Sequence, residues 1–175
     1  MTIIFESHAT SLENEAKLSS GWNDVDLSEL GLRQAAELGE RYRDTLPDAV
    51  FCSDLQRSYK TAAVAFKDTH TPIFIDSRLR ECNYGDLTRA PQEEVEGKRG
   101  QHVHVRFPNG ESYEDTSRRM GEFLDELKRD YAGKTVMIIG HRATQYGLEE
   151  HLLGRRLDEV VSEPWKWQPG WTYTA

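Results

Sequence analysis

Four side chains in this sequence have the chemistry that phosphoryl transfer requires, and they are His8, Arg57, Glu81 and His141. A histidine attacks phosphorus as a nucleophile and forms a phosphohistidine, which divides one difficult reaction into two easier steps. A second histidine and an arginine neutralise the charge that spreads over the equatorial oxygens. A carboxylic acid protonates the leaving oxygen and later, as a carboxylate, deprotonates the attacking water. This chemistry requires neither a metal ion nor a cofactor, and we expect none.

Each of these side chains follows a short apolar segment with the composition of a buried β-strand. The predicted strands are residues 2–5, 49–52, 72–75 and 135–139, and they are followed in order by His8, Arg57, Glu81 and His141. Helical patterns alternate with the strands, which predicts a mostly parallel sheet with helices on both faces. Ligands of such folds bind beyond the carboxyl ends of the strands. We therefore expect an α/β fold, a three-layer α-β-α sandwich, with these side chains at one edge of the sheet.

The loop after the first strand carries further hydrogen-bonding side chains. Thr10, Ser11 and Asn14 follow His8 closely in the sequence. Their hydroxyl and amide groups can donate to phosphate oxygens. The sequence therefore predicts that residues 8–14 form a phosphate-binding loop.

Two helices are predicted beside this loop. The first begins after Ser28, a favourable N-cap residue, and its inner face is predicted to hold Leu32, Ala35, Ala36 and Tyr42. The second is predicted to begin at a capping box formed by Ser53 and Gln56. That box would place Arg57 in the first turn of its helix.

The sequence of the second half of the chain predicts two more helices and an aromatic tail. Ser112, with Asp115 three residues later, indicates the start of a helix that Gly133 ends, and a later helix ends at Gly154. The tail contains Trp165, Trp167 and Trp171, which predict a last strand or a packed arm.

Residues 88–111 are polar, contain Pro and Gly and show no clear period. A loop of this length in a compact domain is often a lid or a binding loop. We expect one domain over residues 1–175, in which 88–111 forms an excursion over the site and sets specificity.

Bulk composition excludes several classes of protein. The net charge of −8 opposes a role in binding nucleic acid, because phosphate backbones require a basic surface. The chain has no run of 18 apolar residues, so no membrane span is expected, and its first residues do not resemble a signal peptide. Cys52 and Cys82 form neither a disulfide framework nor a metal-type spacing, which favours a cytoplasmic location.

Five short motifs follow one another along the chain, and they are SHATSLEN at 7–14, GWNDVDLSELG at 21–31, SDLQRSYKTA at 53–62, LRECNYG at 79–85 and NGES at 109–112. In this order they resemble the histidine phosphatase superfamily, in its phosphoglycerate-mutase-like branch, over nearly the whole chain. The resemblance implies a phosphoglycerate-mutase-like fold. It also implies a reaction through a phosphohistidine at His8, with Glu81 as the proton donor.

The sequence departs from the family's motifs at two places. The family's R-H-G loop is S-H-A here, because Ser7 and Ala9 replace the arginine and the glycine. The missing arginine removes a charge-assisted contact to phosphate that is worth about 1.5–3 kcal/mol. After the second histidine, where the family usually has glycine, this chain has Arg142. We expect Arg142 to replace the missing cation from the opposite strand end.

The resemblance covers both phosphatases and mutases, and the sequence favours a phosphatase. The family's mutases bind a carboxylate with basic residues after the catalytic glutamate, whereas Cys82 and Asn83 follow Glu81 here. The expected function is a metal-independent phosphomonoesterase that acts on a small phosphorylated or anionic metabolite. Two alternatives stay open: an inactive relative that binds an anionic ligand or a partner protein, and a site that serves a substrate without phosphate.

Three further questions stay open at this stage. The proton donor is either Glu81 or Glu111, because some phosphatases of the superfamily take their acid from the second of these positions. The sequence does not identify the substrate. An exposed edge strand and a tryptophan-rich tail permit a homodimer without requiring one.

Overall fold

The computed structural model describes residues 1–175 and contains one five-stranded sheet with helices on both faces. The strands are β1 (Thr2–Ser7), β2 (Ala49–Cys52), β3 (Ile73–Ile75), β4 (Thr135–Gly140) and β5 (Trp171–Thr174). The helices are α1 (Leu12–Glu15), α2 (Glu29–Arg41), α3 (Gln56–Ala65), α4 (Gln92–Lys98), α5 (Tyr113–Asp130), α6 (Arg142–Leu153) and α7 (Leu157–Ser162). Short 3-10 turns are Ser77–Leu79, Gly85–Leu87 and Arg99–His102.

The strand order is β3-β2-β4-β1-β5, and only β5 runs antiparallel to its neighbour. β1 and β4 lie side by side in the middle, in a register that pairs Ser7 with Gly140. The next residue of each strand is a histidine, and the backbone N–H of His8 donates to the carbonyl oxygen of Gly140 at 3.0 Å. The parallel register therefore brings His8 and His141 together at one edge of the sheet, as predicted.

Alternate residues of the central strands pack into two different core layers, because successive side chains of a strand point to opposite faces. On one face Ile138 packs with Phe123 and Leu148, which come from α5 and α6. On the other face Ile139 packs with side chains from α2 and α3, including Leu38. The predicted three-layer α/β architecture is confirmed.

The inner face of α2 differs from the prediction. Leu32 is 46% exposed and Ala36 is exposed, whereas Gly31, Ala35 and Leu38 are buried. Gly31 allows the helix to approach the loop after β1, since a Cβ at this position would lie 2.0 Å from the carbonyl oxygen of Thr10. The predicted N-cap is correct, because the Ser28 hydroxyl accepts a hydrogen bond from the N–H of Gly31 at 3.1 Å.

The capping box predicted at Ser53 and Gln56 is wrong. α3 begins after Leu55, which makes no side-chain cap, and the N–H of Gln56 donates to the Asp24 carboxylate at 2.7 Å. A carboxylate from the preceding loop therefore replaces the local cap. The Ser53 hydroxyl lies 2.7 Å from the Nε2 atom of His141 and is part of the site.

Residues 88–111 are more ordered than the sequence predicted. They contain α4 and a 3-10 turn, and Val95, Val103 and Phe107 are buried in a separate core cluster with side chains from α6 and α7. α4 is short and mostly charged, so one buried valine left no visible period in its sequence. The excursion is therefore a packed layer against one end of the sheet.

Two other local predictions of the second half are confirmed, whereas α5 ends at Asp130, three residues before the predicted Gly133. Ser112 and Asp115 form a capping box at the start of α5, and Gly154 ends α6 with φ of 65°. Trp171 begins β5, whereas α7 was not predicted. No helix has both the length and the apolar composition that crossing a membrane requires.

Candidate active site

A cavity of about 450 Å³ opens beyond the carboxyl ends of β1 and β4. Its lining includes His8, Arg57 and Glu81, which follow three different strands. His141 lies behind the cavity wall, with its ring centroid 5.0 Å from that of His8. The four residues predicted to meet at this edge of the sheet do lie together.

His8 is oriented by its own loop. Its Nδ1 atom lies 2.7 Å from the carbonyl oxygen of Ala9. A carbonyl only accepts, so this contact assigns the proton to Nδ1 and leaves a lone pair on Nε2. Burial, with a smaller effect of the nearby Arg57 charge, lowers the pKa of His8 to about 3. The imidazole is therefore neutral at pH 7 and has the tautomer of an Nε2 nucleophile.

His141 has the opposite arrangement of donor and acceptor. Its Nε2 atom lies 2.7 Å from the Ser53 hydroxyl, which has no other acceptor within reach. We assign the serine as the donor to Nε2, which places the ring proton of His141 on Nδ1. That Nδ1 atom is buried and has no partner. Burial is the main cause that keeps the pKa of His141 well below its ordinary value, so the ring is a neutral donor.

Arg57 lies in the first turn of α3 and is almost completely buried. Its guanidinium donates to the carbonyl oxygens of Gly21 and Asn23 at 2.7 and 3.0 Å. No carboxylate forms an ion pair with it, and the charge of Glu81 acts on it only from a longer distance. These contacts show that Arg57 also holds the loop that carries Gly21 against the site.

The structure distinguishes the two candidate acids by position. Glu81 lines the cavity, and its Oε1 atom accepts from the backbone N–H groups of Cys82 and Ala143 at 2.7 and 3.2 Å. Glu111 does not line the cavity, and both its carboxylate oxygens lie 3.0 Å from the guanidinium of Arg119. Glu81 is the carboxylate that a bound substrate can reach.

The predicted phosphate-binding loop divides into lining and supporting residues. Thr10 and Asn14 line the cavity. Ser11 is fully buried and does not line it, because its hydroxyl caps α1 by accepting from the N–H of Asn14 at 3.1 Å. The Asn14 oxygen accepts from the N–H of Ser11, which leaves the Asn14 amide NH₂ free to donate. Ser11 is thus placed as a support for Asn14.

Arg142 lines the cavity, as its proposed role requires. Its guanidinium lies 3.0 Å from the Glu96 carboxylate and 5.2 Å from the centroid of a Trp165 ring. Ser7 also lines the cavity, and its hydroxyl donates to the carbonyl oxygen of His8 at 3.3 Å. The position of the family's arginine therefore holds the neutral Ser7. Arg142, the proposed substitute cation, already forms an ion pair with the Glu96 carboxylate.

Sequence reasoning missed the side walls of the cavity. One face of α2 and one face of α4 with its following turn line it, each at i, i+3, i+4 and i+7 spacing. These residues are Gln34, Glu37, Leu38 and Arg41 on the first wall, and Gln92, Val95, Glu96 and Arg99 on the second. The spacing was visible in the sequence, but polar residues at helical spacing are usually a solvated surface.

The charges that line the cavity are balanced in sign. Arg41 pairs with Glu6 at 3.1 Å, just as Arg142 pairs with Glu96. Arg99 has no carboxylate partner and donates to the Tyr146 hydroxyl at 2.7 Å. Arg57 and Arg99 are therefore the two lining cations without an ion pair. No group of three or more His, Cys, Asp or Glu side chains is arranged to hold a metal ion.

Comparison with known proteins agrees with this geometry. The histidine phosphatase superfamily (branch 1) matches residues 3–167. A Yersinia pestis protein named probable phosphoglycerate mutase GpmB is 33% identical over 155 residues, which are 84% of this chain and 72% of that protein.

Solved structures share the fold at lower sequence identity. YhfR of Bacillus stearothermophilus has a TM-score of 0.83 at 24% identity and covers 98% of this chain and 89% of its own. The mycobacterial glucosyl-3-phosphoglycerate phosphatase has a TM-score of 0.81 at 24% identity, with 92% and 86% covered. The alpha-ribazole phosphatase of Shigella flexneri has a TM-score of 0.79 at 24% identity, with 91% and 83% covered.

The match to the family extends over the strands and the loops that carry His8, Arg57, Glu81 and His141. The match of the family to residues 3–167 includes all four positions. The chain belongs to the histidine phosphatase superfamily, branch 1.

Proposed function

We propose that this protein is a metal-independent phosphomonoesterase that acts on a small phosphorylated metabolite. The observation that carries the proposal is the pair of neutral histidines with complementary tautomers. His8 presents an Nε2 lone pair, and His141 has a buried Nδ1–H group without an acceptor, with the two rings 5.0 Å apart. When a phosphoryl group lies beside both rings, Nε2 of His8 can attack its phosphorus and Nδ1–H of His141 can donate a hydrogen bond to one of its oxygens.

In the first step the Nε2 atom of His8 forms a bond to phosphorus while the bond from phosphorus to the leaving oxygen breaks. Glu81, in its acid form, gives its proton to that oxygen. Arg57, Arg142 and the amide of Asn14 stabilise the charge on the transferred group. In the second step Glu81 takes a proton from water, and the water oxygen forms a bond to phosphorus while the bond from phosphorus to Nε2 of His8 breaks. Inorganic phosphate leaves, and His8 is free again.

A test of this mechanism is phosphoenzyme trapping. The protein is mixed with p-nitrophenyl phosphate or sugar phosphates in EDTA, quenched in alkali and examined by mass spectrometry. We expect an acid-labile phosphate on His8 and chelator-resistant turnover, both lost in His8→Ala. The absence of an adduct and of turnover across the panel contradicts the proposal.

Because one relative is named as a probable phosphoglycerate mutase, the activity test includes 3-phosphoglycerate as a second substrate. Of the arginines that line the cavity, Arg41 and Arg142 already have carboxylate partners, which favours hydrolysis over tight binding of a highly anionic intermediate. We expect inorganic phosphate to be released without formation of 2-phosphoglycerate. Formation of that isomer would assign mutase activity instead.

The neutral side chain of Ser7, at the position of the family's arginine, supports a second candidate function, which is binding of an anion without turnover. The neutral hydroxyl at this position makes its hydrogen bond to the His8 carbonyl oxygen, within its own loop. Calorimetric titration with inorganic phosphate and vanadate distinguishes the two functions. Binding that depends on Arg57, together with no phosphoenzyme, supports the binding function.

A further inference from the structure

Trp167 lies on the rim of the cavity with 58% of its surface exposed. It is the most exposed of the four tryptophans, and its indole makes no hydrogen bond. A large aromatic side chain left in water at a cavity rim differs from the usual burial of such residues. An exposed indole beside an otherwise polar pocket provides a flat apolar surface for a ligand.

The backbone on both sides of Trp167 is held in place. On one side, Trp165 donates from Nε1 to the Gln145 side-chain oxygen at 2.6 Å and packs on Trp171 with ring centroids 5.9 Å apart. On the other side, Gly170 has φ of 72°, and a Cβ there would lie 2.7 Å from the Tyr42 hydroxyl. The backbone that carries Trp167 is thus held on both sides, which limits the entropy lost when a ligand stacks on its ring.

Gly170 also indicates which part of the cavity Trp167 borders. A Cβ at Gly170 would lie 3.4 Å from the Glu6 carboxylate, which pairs with Arg41 on the α2 wall. The segment that carries Trp167 therefore passes close to the C-terminal end of α2, where Arg41 and Tyr42 lie. The backbone at Gly170 thus lies close to the buried carboxylate that pairs with Arg41.

The α2 wall offers unused hydrogen-bonding groups. Glu37 lines the cavity, and its carboxylate has neither an ion pair nor a hydrogen bond within the chain. The Gln34 side-chain oxygen accepts from the N–H of Thr10 at 2.9 Å, so its amide NH₂ stays free. A free acceptor and a free donor, on the lining of the same cavity as an exposed indole, match the edge of a planar ring that carries N–H groups and ring nitrogens.

We propose that Trp167 stacks on a heteroaromatic ring in the leaving group of the substrate, while Glu37 and Gln34 bind polar groups of that leaving group. The substrate class is then a nucleoside-type phosphomonoester, with a ring, a hydroxylated linker and one phosphate. This assignment rests on the proposed phosphatase function. The unpaired negative charge of Glu37 opposes a second anionic group at this end of the cavity, and a volume of about 450 Å³ lies in the range of small-ligand sites.

Binding and turnover are measured separately, so that the two proposals are tested separately. Calorimetry in EDTA compares purine and pyrimidine nucleoside 5′-monophosphates with ribose 5-phosphate, which has the same phosphate and sugar but no ring. The His8→Ala background prevents cleavage during titration. The same ligands then serve as substrates for proteins with His8 intact.

We expect Trp167→Ala to weaken binding of the nucleotides by roughly 5- to 100-fold, the range that base–aromatic stacking gives. Binding of ribose 5-phosphate stays unchanged, and Trp167→Phe restores most of the nucleotide affinity. The matched control is Leu153→Ala, which removes an exposed apolar side chain outside the cavity and leaves both ligands unaffected.

Equal effects of Trp167→Ala on both ligands, or no effect on either, overturn the stacking proposal. Turnover of ribose 5-phosphate that equals turnover of the nucleotides also overturns it, while the phosphatase function stands. Selective nucleotide binding without any turnover in the protein with His8 intact overturns the phosphatase function alone.

Discussion

The Glu81 carboxylate accepts a hydrogen bond from the backbone N–H of Ala143, with Oε1 and N 3.2 Å apart. This contact joins the segment after β3 to the first turn of α6, which begins directly after His141. A helix N-terminus attracts negative charge, so the contact holds the carboxylate beside the second histidine. Glu81 is therefore positioned by the helix that begins directly after His141.

Glu81→Gln tests whether this carboxylate is the acid. The amide has nearly the same shape but no proton to give, so we expect turnover of an alkyl phosphate to fall by about 10²- to 10⁴-fold. The decrease is expected to be smaller for p-nitrophenyl phosphate, since p-nitrophenolate leaves without protonation. Steady-state kinetics with both substrates measure the difference.

The matched control for that variant is Glu111→Gln. It removes the ion pair with Arg119 at 3.0 Å but leaves the cavity lining unchanged. We expect a lower melting temperature with little change in kcat for either substrate. A Glu111→Gln protein with the leaving-group dependence described for Glu81→Gln would transfer the acid role to Glu111.

Arg142→Ala tests the substitute cation. We expect kcat/KM to fall by roughly 10- to 100-fold, which corresponds to the loss of one charge-assisted hydrogen bond. Glu96→Gln is the control, because it releases Arg142 from its carboxylate at 3.0 Å and should preserve or raise activity. Unchanged kinetics in Arg142→Ala would show that this arginine takes no part in phosphate binding.

Ser7→Arg restores the charge that the family's loop has at this position. Ser7 lines the cavity, so the new guanidinium can reach a bound phosphate. We expect inorganic phosphate to inhibit the variant about tenfold more tightly than the natural protein, with Ser7→Ala as a neutral control. A folded Ser7→Arg protein whose inhibition constant is unchanged would contradict this geometry.

Gly31→Ala tests the contact between α2 and the His8 loop. A Cβ at Gly31 would lie 2.0 Å from the Thr10 carbonyl oxygen, so the helix and the loop must separate. We expect a loss of about 1–3 kcal/mol in the free energy of unfolding and a lower kcat. Gly97→Ala in α4 has open space around it and should stabilise the protein by about 0.5–1 kcal/mol. Denaturant titrations of both variants measure these changes.

The depressed pKa of His8 predicts how stability depends on pH. The unfolded chain binds a proton at His8 near pH 6.5, whereas the folded protein binds it only near pH 3. The free energy of unfolding should therefore decrease as pH falls from 6.5 to 5, by up to about 1.4 kcal/mol per pH unit for this residue. The pKa of His141, which burial also lowers, should likewise decrease the free energy of unfolding as pH falls.

His8→Gln should flatten this dependence, because glutamine does not titrate. Denaturant titrations between pH 7.5 and 5 compare the two proteins in a range above the ordinary pKa of carboxyl groups. Equal slopes in the natural protein and in His8→Gln would show that His8 is not buried in its neutral form.

The strand ends could be predicted from the sequence because a buried strand has a strong local pattern. The apolar runs before His8 and His141 identify β1 and β4, and a parallel sheet then brings the two histidines to one edge. The roles of Ser11 and Ser53 could not be predicted. A serine in a loop bonds equally well to a backbone amide or to a side chain, and the fold decides which lies within reach.

Two residues of the predicted inner face of α2, Leu32 and Ala36, were predicted wrongly for a related reason. Leu32 was predicted to be buried because it is apolar. In the structure Gly31 faces the His8 loop instead, because it has no side chain that would collide with the loop, and Leu32 is exposed. The contact that decides the orientation of α2 joins residues that are distant in the sequence. Helical spacing alone cannot reveal such a contact.

The two walls of the cavity have a consequence for how this protein changes over evolutionary time. The reacting groups follow strands whose register fixes them, whereas the side chains of Glu37 and Gln92 project from helices and make no hydrogen bond to the sheet or to the His8 loop. Substitutions at these wall positions leave the register of the sheet untouched. A lineage can therefore replace its substrate by exchanging side chains on two helices, while the same phosphoryl-transfer chemistry is inherited unaltered.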